Sequence, residues 1–164
     1  MDLTFTASEE AFAAEVRSWL AEHVEHPGPF GSVDDEVDWG RSWQATLAAA
    51  RMVAISWPRS VGGRDASPVE VALYNMEYAR SGAPQPINRV GISHVGPTLL
   101  ARGTVQQQRR WMPAILDASE LWCQLFSEPD AGSDLAALRA RAEPTDRGWL
   151  VSGQKVWTLS LIHI

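Results

Sequence analysis

The sequence has little cysteine, an excess of acid over base and no long hydrophobic run. Its single cysteine, Cys123, excludes an internal disulfide framework, and its apolar neighbours are typical of an inert core thiol rather than a nucleophile. Fourteen Lys and Arg residues stand against 20 Asp and Glu residues, so the formal net charge is −6. This balance disfavours a nucleic-acid partner, since binding to phosphates needs clustered cations.

No stretch of the 164 residues approaches the ~18 apolar positions that suggest a membrane span. The N-terminus from Met1 to Thr4 lacks the basic start and apolar core of a signal peptide. We therefore expect a cytoplasmic protein without a membrane span. His94 has no second His, Cys or carboxylate at ligand spacing, so no metal site is predicted.

The part of the chain up to Ala118 has the pattern of a helical domain. Three helix starts are marked by a hydroxyl residue with Glu or Gln three positions later: Thr6 with Glu9, Ser67 with Glu70, and Thr104 with Gln107. An apolar stripe at four-residue spacing follows the first of them, at Phe12, Val16, Leu20 and Val24. Trp39, Trp43 and Leu47 predict a second helix, and Gly96-Pro97 opens a short one.

From Leu121 the apolar period changes, which favours short strands over helices. The predicted strands are Leu121 to Phe126, Leu138 to Glu143, Trp149 to Val151 and Gln154 to Thr158. Gly148 and Gly153 lie in the turns between the later ones. The sequence thus predicts helices followed by a β-meander.

The first of these strands breaks into the small acidic turn Ser127-Glu-Pro-Asp-Ala-Gly-Ser-Asp134. Backbone amides in such a turn are suited to a ligand phosphate. Ser127 by itself is an ordinary turn former, but its combination with Gly132 and Ser133 favours a binding site. For Glu128 and Asp134 we favour charges that cap amides and hold the turn over an acid–base pair.

This turn resembles the flavin-binding signature of the acyl-CoA dehydrogenase family. Gln154-Lys-Val-Trp-Thr158 is similar to the family strand whose Trp covers one face of the flavin, and this context favours a flavin role for Trp157 over a core role. Ser56 to Gly63 resembles the family's Trp-Pro-x-x-x-Gly-Gly loop, and Gly96 to Leu100 with Pro113 to Ile115 resembles its helix pair. The likeness extends from the first helix to Thr158.

The resemblance implies a fold of class α+β: an N-terminal all-α helical bundle at 1–118, then the first antiparallel strands of an incomplete β-barrel at 119–158. It also implies FAD as cofactor. The residues carried over as cofactor-binding are Gln124, Phe126, Ser127, Gly132, Ser133, Trp157 and Thr158, with Ser133 also placed at the CoA arm of the substrate.

The implied reaction is oxidation of an acyl-CoA thioester to its 2,3-enoyl-CoA, in fatty acid or lipid metabolism. The β-hydride passes to the flavin, a carboxylate base removes the α-proton, and electron-transfer flavoprotein accepts the electrons. In the family that base lies in a C-terminal helical domain, so no catalytic residue is assigned in this chain. We expect the chain alone to be inactive, and the full-length protein to be a homo- or hetero-oligomer.

Departures from the family pattern leave alternatives open. Ser127 replaces the usual Thr but keeps a hydroxyl, whereas Leu159 stands where Ser or Thr is expected and cannot donate a hydrogen bond. We interpret residues 159–164 as a foreign tail on a truncated sequence. An acyl-CoA oxidase or nitroalkane oxidase type of flavoenzyme, or a non-catalytic FAD-binding partner subunit, would share these motifs.

Overall fold

In a computed structural model of the chain, the structure describes residues 4–157. These residues fall into two compact units that divide after Leu121. The predicted domain bounds, 1–118 and 119–158, stay a prediction about the intact protein.

The first unit is helical, as the sequence predicts. Its α-helices are α1 (Ala7–His23), α2 (Val33–Ala49), α3 (Pro68–Ser81), α4 (Gly96–Arg102) and α5 (Val105–Leu116). A 3₁₀ turn at Arg59–Val61 and a π-helical turn at Gly91–Val95 complete it. Within the described part of the chain, no helix is both long and apolar enough to cross a bilayer.

The three predicted helix starts are confirmed, each as a reciprocal capping box. Before α1, the Thr6 hydroxyl accepts from the Glu9 backbone amide at 3.3 Å, and the Glu9 carboxylate accepts from the Thr6 amide at 2.7 Å. Ser67 and Glu70 do the same before α3, where Pro68 occupies the first helical position. These bonds satisfy backbone donors that the first turn leaves without partners.

The core of the first unit lies where α1 packs on α3 and where α2 meets α5. Val16 and Leu20 of α1 are fully buried, as the predicted stripe requires, and so are Leu47 of α2 and Ile115 of α5. Burying one such side chain stabilises a fold by roughly 1.5 to 3 kcal/mol. Packing of these stripes therefore holds the unit together.

A buried polar pair ties α2 to the end of α5. The Gln44 amide nitrogen donates to the carbonyls of Ile115 and Leu116 at 2.8 and 2.9 Å, and its oxygen accepts from the Asn88 backbone amide at 2.8 Å. The Asn88 side chain donates to the Ile115 carbonyl at 3.1 Å. Because carbonyls at a helix C-terminus lack intrahelical partners, these amides satisfy them in a place that water does not reach.

The Trp57–Gly63 loop is built around the buried indole of Trp57, which is 4% exposed. A Cβ added at Gly96 would lie 2.0 Å from Trp57 Cζ2, and one added at Gly63 would lie 2.0 Å from the Trp57 carbonyl oxygen. Gly62, at φ +99°, adopts a conformation that favours glycine. The motif glycines therefore let the backbone close over this tryptophan.

The second unit contains an antiparallel hairpin of β1 (Arg141–Thr145) and β2 (Gly148–Ser152), with Arg141 opposite Ser152 and Thr145 opposite Gly148. Every residue of both strands is exposed. A 3₁₀ turn spans Leu135–Ala137. The predicted fold class, helices followed by the first strands of a β-domain, is confirmed.

Two of the predicted strands are wrong within the described residues. The segment from Leu121 to Phe126 carries only a bridge residue at Gln124, and its apolar Leu125 and Phe126 are 45% and 57% exposed. Residues 154–157 form no strand either, and Thr158 lies outside the described residues. Likewise, the strand predicted from Leu138 begins only at Arg141. A strand needs a neighbouring ladder, and between residues 4 and 157 none pairs along these segments.

Candidate functional site

The turn after Phe126 is closed by a backbone bridge. The Glu128 amide donates to the Ala131 carbonyl at 2.8 Å, and the Ala131 amide donates back to the Glu128 carbonyl at 3.1 Å. Pro129 and Asp130 form the corner between them. Proline fixes φ near −65° and has no amide to satisfy, which suits this position. The chain therefore reverses sharply between the predicted site residues Ser127 and Gly132.

The Glu128 carboxylate holds this turn in place. It is 7% exposed and accepts from the backbone amides of Arg139 and Ala140 at 2.7 and 2.9 Å and from Lys155 Nζ at 2.9 Å. The Arg139 amide first, then Lys155 and the Ala140 amide, lower the pKa of Glu128 to about 2. The interpretation of Glu128 as an amide-capping charge is confirmed.

Asp134 also caps an amide. Its carboxylate accepts from the Ala136 backbone amide at 3.2 Å, at the start of the 3₁₀ turn. Glu128 and Asp134 thus make separate local contacts, which fits the interpretation of both as turn-forming charges.

Lys155 brings the two predicted motifs together. Besides Glu128, its ammonium group donates to the Phe126 carbonyl at 3.0 Å, and the next amide, that of Val156, donates to the Ser127 carbonyl at 3.0 Å. Sequence reasoning gave no role to Lys155, because its partners lie 27 and 29 residues away in the chain. Its position in the Lys-x-Trp motif was the one available signal.

Polar groups on the turn are left available. Among residues 4–157, the Ser127 hydroxyl, the Gly132 amide and the Ser133 amide and hydroxyl form no hydrogen bond. A Cβ added at Gly132 would meet nothing within 4 Å, and Gly132 does not adopt a left-handed φ. The described fold therefore does not itself require glycine here. These are properties of a surface that an anionic group can approach closely.

The remaining predicted site residues lie close by in sequence and in the same unit. Trp157 is 87% exposed, so the faces of its ring stay uncovered by the described residues. Its backbone φ is +55°, which is uncommon for a residue with a large side chain. Phe126 is exposed and Gln124 is half-buried. Thr158 lies outside the described residues, so its predicted role stays a prediction.

The first unit contains a separate cavity of about 370 Å³, between the loop at 53–56, α3 and residues 85–86. Two tyrosines on its α3 wall are held by carbonyls: the Tyr74 hydroxyl donates to Met52, and the Tyr78 hydroxyl donates to Pro84. Burial raises the pKa of Tyr78 to about 12 and also raises the pKa of Tyr74. Both phenols therefore remain neutral and serve as hydrogen-bond donors.

Residues 6–119 match the family model of the acyl-CoA dehydrogenase N-terminal domain. The chain belongs to the acyl-CoA dehydrogenase family. Acyl-CoA dehydrogenase IpdE1 of Mycobacterium tuberculosis is 44% identical over 163 residues, which cover 94% of this chain and 42% of that protein. The chain thus spans about two fifths of the length of this relative, and the resemblance inferred from the motifs is confirmed.

Solved structures of the family have the same fold. The ChsE4–ChsE5 complex of Mycobacterium tuberculosis superposes with a TM-score of 0.72 at 29% identity, over 96% of this chain and 40% of that one. The Tcur3481–Tcur3483 steroid ACAD superposes with a TM-score of 0.69 at 27% identity, over 95% of this chain and 41% of that one. A glutaryl-CoA dehydrogenase of Mycobacterium smegmatis in complex with FADH2 superposes with a TM-score of 0.65 at 20% identity, over 94% of this chain and 39% of that one. At this level of identity the likeness is evidence for the fold alone.

Proposed function

We propose that this chain is part of an FAD-dependent acyl-CoA dehydrogenase that converts an acyl-CoA thioester to its 2,3-enoyl-CoA. The observation that carries the proposal is the contact of Lys155 with Glu128 and with the Phe126 carbonyl, at 2.9 and 3.0 Å. It places the Ser127–Asp134 turn beside the Lys-x-Trp segment, and family membership makes FAD the cofactor that such a pair of motifs serves.

The groups on the turn fit parts of FAD. The Ser127 hydroxyl and the exposed face of Trp157 suit the flavin ring, while the amides of Gly132 and Ser133 suit its pyrophosphate. Ser133 also suits the phosphates of the CoA arm. Bound FAD supplies the hydride acceptor of the reaction. The residues of this chain bind and orient, and Glu128 holds the turn in one shape while they do so.

The general base is not assigned within the described residues. Removal of the α-proton needs a carboxylate that is free to accept it. Glu128 does not meet this need, because it already accepts three hydrogen bonds and its pKa is lowered to about 2. A carboxylate elsewhere in the intact protein fills this role in our proposal.

A steroid-derived acyl group is the substrate class that we favour. The support is the likeness, at 27% identity, to the Tcur3481–Tcur3483 steroid ACAD. A second candidate function has its own support: the Tcur3481–Tcur3483 steroid ACAD and the ChsE4–ChsE5 complex are each named for two components. The protein with this chain is then one subunit of a hetero-oligomer, and its partner contributes to the activity.

The test is a turnover assay on the full-length gene product, alone and coexpressed with a second acyl-CoA dehydrogenase from the same organism. We expect stoichiometric bound flavin, formation of a 2,3-enoyl-CoA from a steroid-derived acyl-CoA, and electron transfer to electron-transfer flavoprotein. Oxygen consumption without that acceptor would instead indicate an oxidase. Activity that appears only in the coexpressed pair would support the subunit role, and a full-length protein free of flavin would contradict the proposal.

A further inference from the structure

Aromatic rings from α1 and α2 meet at the edge of the core of the first unit, with Trp43 buried and Trp19 and Trp39 half-buried. The Trp19 and His23 rings stack at 4.4 Å with an interplanar angle of 8°. The centroid of the Trp43 ring lies 6.2 Å from that of Trp19 and 6.4 Å from that of Trp39. The planes of the Trp39 and Trp43 rings differ by 16°. Beside these rings is a pocket of about 240 Å³, whose lining includes Trp39, Trp43, His23, Glu22 and Glu25. We call it the Trp39 pocket.

Hydrogen bonds fix the orientation of one wall of the pocket. Trp43 Nε1 donates to the Pro84 carbonyl at 2.8 Å and to the Tyr78 hydroxyl at 3.1 Å, so the polar edge of the indole is engaged in the interior. The face of an indole ring carries negative electrostatic potential and is the best aromatic surface for a cation. The lining therefore includes two tryptophans, one of which is held rigidly.

The carboxylates around the pocket have the same sign as these ring faces. Glu22 and Glu25 are exposed, and within residues 4–157 neither forms a salt bridge. On α2, Asp35 and Asp38 precede Trp39 and Ser42 by four residues each, which places them one turn away on the same side of the helix. The acidic surface thus continues beyond the pocket along α2.

We propose that the Trp39 pocket receives the guanidinium or ammonium group of a basic side chain from a protein partner. Two observations favour a side chain over a free small molecule. The volume of about 240 Å³ lies below the ~300 to 1,000 Å³ of ordinary ligand sites. The carboxylates at Asp35 and Asp38 also offer contacts to further basic residues on the same partner, which a single free cation would not use.

The proposal is tested with two acetylated, amidated peptides, Gly-Arg-Gly-Arg-Gly and the same peptide with citrulline in place of arginine. Citrulline keeps the shape of arginine but is uncharged. Binding to the intact chain is followed by the indole N–H resonances, with that of Trp39 assigned from a Trp39→Leu variant. We expect saturable shifts of the Trp39 resonance with the arginine peptide, weakening at high ionic strength, and binding of the citrulline peptide roughly five- to tenfold weaker.

A double variant, Glu22→Gln with Glu25→Gln, separates this site from general attraction to an acidic protein. Its matched control is Glu143→Gln with Asp146→Asn, which removes two exposed carboxylates from the second unit. We expect the first pair to weaken binding roughly two- to fivefold and the control to leave it unchanged. Equal binding of both peptides, equal losses in both double variants, or shifts that do not saturate would overturn the proposal.

Discussion

Lys155 donates to Glu128 at 2.9 Å across 27 residues of sequence, and both side chains are largely withdrawn from solvent, with exposed fractions of 22% and 7%. The same ammonium group reaches the Phe126 carbonyl. One cation thus joins the turn, the segment before Trp157 and, through Glu128, the amides at Arg139 and Ala140.

Substituting Lys155→Met keeps the aliphatic length of the side chain and removes its charge. We expect residues 154–157 to detach from the turn, because among residues 4–157 only the hydrogen bond from the Val156 amide to the Ser127 carbonyl then joins the two segments. Faster hydrogen exchange of the Val156 amide would report the change. Arg139→Met is the control, since it removes only an exposed ion pair with Asp130 at 3.4 Å and leaves the Arg139 amide on Glu128. Equal exchange in the two variants would contradict the prediction.

Acid should loosen the turn in a definite range of pH. The folded-state pKa of Glu128 is lowered from 4.5 to about 2. Its contribution to stability is therefore fully present above pH 4.5 and is lost as pH falls from there through about 2. Titration of the Glu128 carboxyl carbon by NMR should give a midpoint near the lower value. A midpoint near 4.5, or an acid response of the turn unchanged in Glu128→Gln, would show that the three donors do not hold the carboxylate as described.

Filling the space over the turn should weaken FAD binding without unfolding the protein. Gly132→Ala adds a methyl that meets nothing within 4 Å, so we expect unchanged stability. If a phosphate packs there, the added methyl overpacks the contact at a cost of ~1 to 3 kcal/mol. This cost raises the dissociation constant for FAD roughly tenfold. Gly28→Ala is the matched control, since a Cβ there also meets nothing within 4 Å. Flavin binding to the full-length protein is measured by fluorescence, and equal affinity of both variants would remove Gly132 from the site.

The ion pairs of Glu77 should contribute unequally to stability. Arg17 binds the 3%-exposed carboxylate of Glu77 through two nitrogens, each at 2.9 Å, and is the main cause of its lowered pKa, whereas Arg80 makes one contact at 2.7 Å. We expect Arg17→Met to reduce the free energy of unfolding, because two charge-assisted hydrogen bonds to Glu77 are lost. Arg80→Met should reduce the free energy of unfolding by less, because only one such hydrogen bond is lost. Urea unfolding distinguishes them, and a larger loss for Arg80→Met would reverse this assignment.

Gly96→Ala should destabilise the first unit. The added Cβ would lie 2.0 Å from Trp57 Cζ2, so the indole or the backbone of α4 must move. Overpacking of this kind costs roughly 1 to 3 kcal/mol. Urea unfolding followed by tryptophan fluorescence measures the loss, with Gly28→Ala as the unstrained comparison. Wild-type stability of Gly96→Ala would mean that Trp57 does not pack against α4.

The helical half could be predicted from short-range patterns, since a capping box joins residues three positions apart and an apolar stripe repeats every turn. The starts at Thr6, Ser67 and Thr104 are correct for this reason. The sequence predicts the strands less accurately. The bounds predicted for β1 and β2 differ from the observed ones by a few residues, and Leu121 to Phe126 is not a strand in the described structure. Apolar residues there satisfy the local pattern, whereas a strand depends on a pairing partner that is remote in sequence.

The sequence by itself determined the capped helices, their buried stripes, the family motifs and the sharp turn at Pro129, because each depends on residues within a few positions of one another. Only the tertiary structure decided that Lys155 meets Glu128, that Gln44 reaches the end of α5 and that Gly96 makes room for Trp57. These three contacts join residues that are between 27 and 71 positions apart in the chain. No local periodicity encodes which of these side chains come together. Their geometry depends on how the elements pack, so it became visible only once the chain was folded.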